Sequence, residues 1–259
     1  MHNSLGDGGI FSNMTSALTA GAATTPAAAP AAGGSVAMPL SAPVPLYTQA
    51  FYKEQKGHKH PLVENKEAML DLYNKFRKEI EQASRLCNVP LEAILGIMFV
   101  ENGRGNPSLT VPPVSATGLM MLTPATADTI IIRERKAGRL TQDEAAVIVR
   151  TMGAAGRKLL LPKTQEAKPV ITTTTHLKNA ELNVLIGAMA LGHYMDQHTE
   201  GGIVRLDKTF IRYNQGWYYK GTNGTPADVL ASAKSRSSEA YNYLLKMLGT
   251  NGVMHAWVA

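Results

Sequence analysis

Apolar residues recur at intervals of three and four along most of the chain beyond residue 65, the spacing that places side chains on one face of an α-helix. Met69, Leu72, Phe76, Ile80, Ala83 and Leu86 form one such stripe behind Asn65 as N-cap, and predict a helix over 66–87. Pro90 opens a second, PLEAILGIMFVEN, with Leu91, Ile94, Leu95 and Met98 on its apolar face and Gly103 as its stop. Thr123 and Pro124 read as an N-cap with proline in the first turn, which predicts a helix to about Lys136 before Gly138. Thr141 and Glu144 have capping-box spacing, so a further helix is expected to reach Met152. Leu182, Leu185, Ile186 and Met189 resume the stripe, residues 203–212 predict a short helix, and Thr225-Pro226 starts a last one ending near Leu248. Between Gly153 and Leu177 the pattern weakens, and VITTTT at 170–175 is β-prone. The expected fold is mainly α, with a small β-hairpin around Pro113 to Leu122.

Residues 1–50 break this pattern. They hold almost no charge and contain SALTAGAATTPAAAPAAGGSVAMPLSAPVP, which has too few large side chains to offset its ordering entropy. They read as a low-complexity Ala/Pro/Gly-rich arm or tether, followed by one domain over 51–259. The N-terminus shows no basic stretch leading into a continuous apolar one, so no conventional secretory signal is expected. No run of 18 or more strongly apolar residues predicts a transmembrane segment.

A formal charge of +6 favours a polyanionic partner, and peptidoglycan, nucleic acid and anionic membrane all qualify. RERKAGR at 133–139 reads either as a solvated helix end or as a patch for such a partner. The single cysteine, Cys87, excludes an intramolecular disulfide and falls on an apolar stripe, which marks it as core. His193 and His198 are five apart, wrong for one helical face, and no neighbours complete a ligand set, so neither a metal nor another cofactor is expected.

Glu101 is the candidate for chemistry. It follows Ile94 by seven residues and Met98 by three, so it extends the buried face, and it lies in the last helical turn. Apolar flanks and the negative end of the helix dipole both disfavour its charged form, as a glutamic acid that must donate a proton near neutrality requires. The plainer alternative is a glutamate turned to solvent or paired with Arg104.

Four further segments follow it in order: Gly118-Leu119-Met120-Met121-Leu122-Thr123-Pro124; Asn183 with Gly187 and Tyr194; Tyr213-Asn214-Gln215-Gly216; and Tyr241. With Glu101-Asn102-Gly103 they resemble the soluble lytic transglycosylase catalytic domain, over about residues 66–248. That resemblance implies a lysozyme-like fold with a glycan cleft between helical lobes. It implies that Glu101 is the catalytic acid and base for the bond between N-acetylmuramic acid and N-acetylglucosamine, and that the product is a 1,6-anhydro sugar. It implies that Asn102, Gly118, Leu119, Met120, Met121, Tyr213, Asn214 and Tyr241 bind substrate. Gly118 would permit close sugar approach, Met120 would form an apolar wall, and the two tyrosines would aim hydroxyls at Glu101 or the sugar. Trp217, Tyr218 and Tyr219 read equally as sugar-stacking residues or as loop anchors.

One carboxyl group suffices for the intramolecular reaction, and residues 102–127 contain no Asp or Glu. Asp128 and Glu181 are the candidates for a partner brought in from farther along the chain. The chain departs from the family pattern at Asn102, where the family has Ser, and at Met121, where it has Gln. Residues 138–177 read as an insertion. The expected setting is a bacteriophage virion that delivers the enzyme to the host periplasm or wall, with the arm contacting other virion proteins and no specific nucleic acid. The alternatives are a non-catalytic virion or envelope-machine protein that keeps the shape and binds glycan, and a basic DNA-associated protein.

Overall fold

Helices dominate the structure, a computed structural model that describes residues 49–55, 66–162 and 169–256. The arm therefore lies almost wholly outside the described residues, as does the Asn65 cap. The described residues belong to one folded unit, Leu40–Ala259. α1 (Gln49–Lys53) precedes α2 (Lys66–Cys87) and α3 (Leu91–Asn102). A two-residue hairpin follows, β1 (Thr110–Val111) against β2 (Ala116–Thr117), with Thr110 opposite Thr117. Its strands begin three residues before the expected span and are extended by a bridge from Thr117 to Leu122.

α4 (Pro124–Lys136) starts where the sequence predicts, the Thr126 N–H donating to Thr123 Oγ1 at 3.1 Å. α5 (Gln142–Met152) carries the predicted capping box between Thr141 and Glu144. The segment of weak periodicity folds as two short helices, α6 (Ala154–Leu159) and α7 (Thr174–Leu177). No strand forms at VITTTT. The Asp128 carboxylate accepts the Ile171 and Thr172 N–H groups at 2.6 and 2.9 Å, and Thr173 caps α7, so those backbone donors are satisfied without a sheet.

α8 (Ala180–Gln197) is the axis of the molecule. Every residue from Leu182 to Leu191 is buried, so this helix is enclosed on all sides. α2, α3, α4, α5, α7 and α9 pack around it. A second hairpin, β3 (Thr199–Glu200) with β4 (Ile203–Val204), leads into α9 (Leu206–Gln215). The single last helix expected from the sequence is two: α10 (Pro226–Arg236) and α11 (Ser238–Leu248), parted at Ser237. Ser237 is extended, with φ −156° and ψ 111°, and its side chain caps α11 by accepting the Ala240 N–H. α12 (Val253–Ala256) closes against α3 and α11.

Gly96 on α3 explains how closely these helices meet. A Cβ there would lie 3.2 Å from the Met247 side chain, 3.3 Å from that of Met254 and 3.4 Å from that of Val253. The missing side chain lets α11 and α12 lie against the helix that carries Glu101. Among the described residues, no helix is long and apolar enough to cross a membrane.

Candidate active site

The end of α3 and one face of α11 enclose an open cleft of about 260 Å³, lined by Val100, Glu101, Asn214, Glu239, Asn242, Tyr243 and Lys246. Glu101 reaches it because it continues the buried face of α3 for one more turn. Its carboxyl is pushed up to about 7, above all by removal from water. The Tyr243 hydroxyl pulls the other way, the Glu239 charge adds to the rise, and Lys246 opposes it. Burial outweighs the rest, because it disfavours the charged form of the carboxyl.

Two tyrosines flank this carboxyl. Tyr213, on α9, donates its hydroxyl to the Met120 carbonyl at 2.8 Å. Tyr243, on α11, has a buried hydroxyl that faces Glu101 without closing a hydrogen bond of normal geometry. Both phenols are held well above their ordinary ionisation range, first by burial and then by the Glu101 charge, so both stay neutral donors. Asn214 completes the polar rim, its Nδ2 donating to Glu239 Oε1 at 3.2 Å.

The 118–122 segment contributes through its backbone. Asn183, fully buried on α8, accepts the Met120 N–H at Oδ1 (2.8 Å) and donates from Nδ2 to the Thr117 carbonyl (2.9 Å). Gly118 has φ +87°, and a Cβ there would stand 2.3 Å from Asn183 Nδ2 and 2.6 Å from the Leu177 carbonyl oxygen. Its bareness thus makes room for Asn183, where the sequence suggested room for a sugar. Met120 is fully buried, and its sulfur occupies the space a Cβ on Gly187 would fill. Leu119 is fully buried as well, so neither side chain walls the cleft. Met121 stays partly exposed in a left-handed turn, φ +47°.

Asn102 does not face the cleft. Its Nδ2 donates to the Asn106 and Gly118 carbonyls at 2.7 and 3.0 Å, and its Oδ1 accepts the Asn106 N–H at 3.2 Å. It ties the end of α3 to the hairpin loop and so fixes the direction in which Glu101 points. Tyr241 lies outside the cleft lining too, its ring 6.0 Å from Lys234 Nζ. Tyr243 occupies the place expected of it. Two positions along a helix turn a side chain by about 200°, so only one of the pair can face α3.

The candidates for a second carboxylate are engaged elsewhere. Asp128 holds the approach to α7, as above, and Glu181 accepts from Gln82 at 3.0 Å and pairs with Arg150. Glu239 is the second carboxyl group of the cleft. With Asn242, Tyr243 and Lys246 it forms a stripe at i, i+3, i+4 and i+7 of α11. That signal was present in the sequence, but it becomes visible only once α11 is separated from α10.

Trp217 is an anchor. Arg133 stacks 3.7 Å from its ring centroid, with His193 at 4.4 Å and Tyr194 at 4.8 Å. Tyr219 is half-buried over Gly221, whereas Tyr218 is 89% exposed. The basic run 133–139 is likewise occupied inside the molecule. Arg135 donates to the Leu159 carbonyl at 2.6 Å, and Arg139 pairs with Glu134 at 2.6 Å. Burial works against the Glu134 charge, yet Arg139 and His193 hold that carboxyl down at about 2.

No protein-family model matches the chain, and no curated protein matches it.

Proposed function

We propose that the protein cleaves the glycan strands of peptidoglycan as a lytic transglycosylase of lysozyme-like fold, with Glu101 as acid and then base. The observation that carries this reading is a carboxyl group held at about 7 in a solvent-open cleft, between two neutral tyrosines. Glu101 donates its proton to the oxygen bridging the two sugars as the bond from C1 of the muramic residue breaks. The carboxylate then takes the proton of the C6 hydroxyl on the same residue, whose oxygen closes on C1. The products are a free 4-hydroxyl and a 1,6-anhydro ring, and Glu101 ends protonated as it began.

Tyr243 and Asn214 supply neutral donors around the reacting atoms, suited to a charge that develops only in the transition state, while Tyr213, its hydroxyl donating to the Met120 carbonyl, backs Glu101 as a neutral wall. Asn102 and Asn183 act one step back. The first aims the end of α3, and the second fixes the backbone whose Met120 carbonyl holds Tyr213. The ordered motifs Glu101-Asn102-Gly103, 118–124, Asn183 with Gly187, and Tyr213-Asn214 add support, because these segments are joined by direct contacts.

The setting proposed is a virus particle that brings the enzyme to the bacterial wall, the composition of residues 1–50 suiting a tether to neighbouring proteins. Recovery of the protein from washed particles tests that setting. Digestion of purified sacculi tests the activity. Wild type is expected to release anhydromuropeptides and a folded Glu101→Gln protein none. Retained turnover by that variant would falsify the assignment of Glu101. Binding to sacculi with no release of sugars by wild type would make the protein a glycan-binding structural component.

A further inference from the structure

Glu239 is a carboxyl group of the cleft that a purely intramolecular reaction leaves idle. It lines the same cavity as Glu101, yet the two carboxyl groups are set differently. Glu101 is part-buried at the end of α3, whereas Glu239 is exposed in the first turn of α11. Its orientation is specified. Gln215 Nε2 donates to Asn214 Oδ1 at 2.6 Å, which leaves the Asn214 amide nitrogen to donate to Glu239 Oε1 at 3.2 Å. The other Glu239 oxygen makes no hydrogen bond among the described residues and remains available to accept.

The cleft also has room for solvent. Its volume of about 260 Å³ is several times the roughly 30 Å³ share of one water molecule. Tyr243 lines the same space, with its hydroxyl buried beside Glu101. A protonated acid, an oriented carboxylate and space for water in the same cleft are the parts a glycosidase needs to hydrolyse rather than cyclise.

We propose that Glu239 is a second catalytic carboxylate, which takes a proton from a cleft water and gives the enzyme a hydrolytic branch beside the intramolecular one. This rests on the glycan-cleaving reading of Glu101. In the hydrolytic branch Glu101 again protonates the bridging oxygen, and the bond from C1 to that oxygen breaks. A water oxygen bonds to C1, and the water's proton passes to Glu239. Glu239 returns that proton to the Glu101 carboxylate through cleft water, which restores both groups. The product is a reducing muramic end carrying one solvent oxygen. The other titratable groups facing this exchange are Tyr213, Tyr243 and Lys246, all held in or beside the cleft.

The test is a digest of sacculi by the full chain in ¹⁸O-water, with the ratio of labelled reducing ends to anhydro ends read by mass spectrometry. Wild type is expected to give both products. Because a positioned base contributes about 10²-fold or more, Glu239→Gln is expected to lower that ratio by roughly 100-fold, and Glu101→Gln to remove both products. Asn214→Ala, which releases Glu239 from its orienting amide, lowers the ratio by a smaller factor. Anhydro ends alone from wild type, or an unchanged ratio in a folded Glu239→Gln protein, overturn the role of Glu239 and leave that of Glu101 standing. Release of neither product by wild type takes down the glycan-cleaving reading itself, and this inference with it.

Discussion

A glutamate held at about 7 is half protonated at neutrality, and both its chemistry and its cost follow from that. In the proposed reaction the acid form acts first, so kcat/KM is expected to be flat in this group below pH 6 and to fall about tenfold per pH unit well above 7. Tyr243 opposes the rise, so Tyr243→Phe should move that falling limb to higher pH and lower kcat by roughly tenfold or more, while Tyr241→Phe leaves both within about twofold. Stability carries the opposite sign. The folded state binds more protons than the unfolded one between 4.5 and about 7, so wild type loses stability as pH rises through that window and none is lost further above it. Glu101→Gln bears no charge and escapes the loss. Urea melts at pH 4 and pH 8 are expected to show the variant gaining roughly 2–3 kcal/mol on wild type between the two. The place of Glu101 was legible because the apolar stripe of α3 fixes its face. That of Tyr243 was not, since Tyr241 and Tyr243 are alike in sequence and differ only in which of them looks at α3.

The helices with chemical caps were legible in full: Thr123 before α4 and the Thr141–Glu144 box before α5 determine their own starts by local hydrogen bonds. The break between α10 and α11 was not. Serine is an ordinary enough residue inside a helix that an unbroken periodic pattern reads through it, and its extended backbone shows only once both flanking helices find partners. Its cap is expected to contribute about 1 kcal/mol, so Ser237→Ala should destabilise the protein by that amount and loosen the stripe bearing Glu239 and Tyr243. VITTTT is β-prone in composition but has no evident partner strand, and the buried Asp128 carboxylate takes up the donors a strand would need. The sharpest element-level test is Gly118→Ala. The new Cβ meets Asn183 Nδ2 at 2.3 Å in a left-handed backbone, and both effects add, so a loss of roughly 3 kcal/mol or more in chemical denaturation is expected.

Over the whole molecule, the fold depends on a short helix that precedes the main pattern. Tyr52 on α1 is fully buried, and its hydroxyl donates to Asp207 Oδ2 at 3.3 Å and lies 3.2 Å from the Pro226 carbonyl oxygen. A chain beginning at Gln49 is therefore expected to keep the melting temperature of the full chain, while one beginning at Lys66 loses it. Tyr52→Ala should cost roughly 3–5 kcal/mol. These outcomes, read by thermal melts, place the start of the folded unit at α1, where the sequence offered only a change of composition. The order of the elements has a further effect. Glu101 sits on α3, whereas Tyr213 and Asn214 come from α9 and Glu239 and Tyr243 from α11. A ribosome that has made everything up to Arg236 has produced a carboxyl group with no stripe to complete it, so the wall-cutting chemistry proposed here has a built-in delay. On that reading, a chain that stops short of α11 carries Glu101 without the groups proposed to act with it, and the site is complete only once α11 is made.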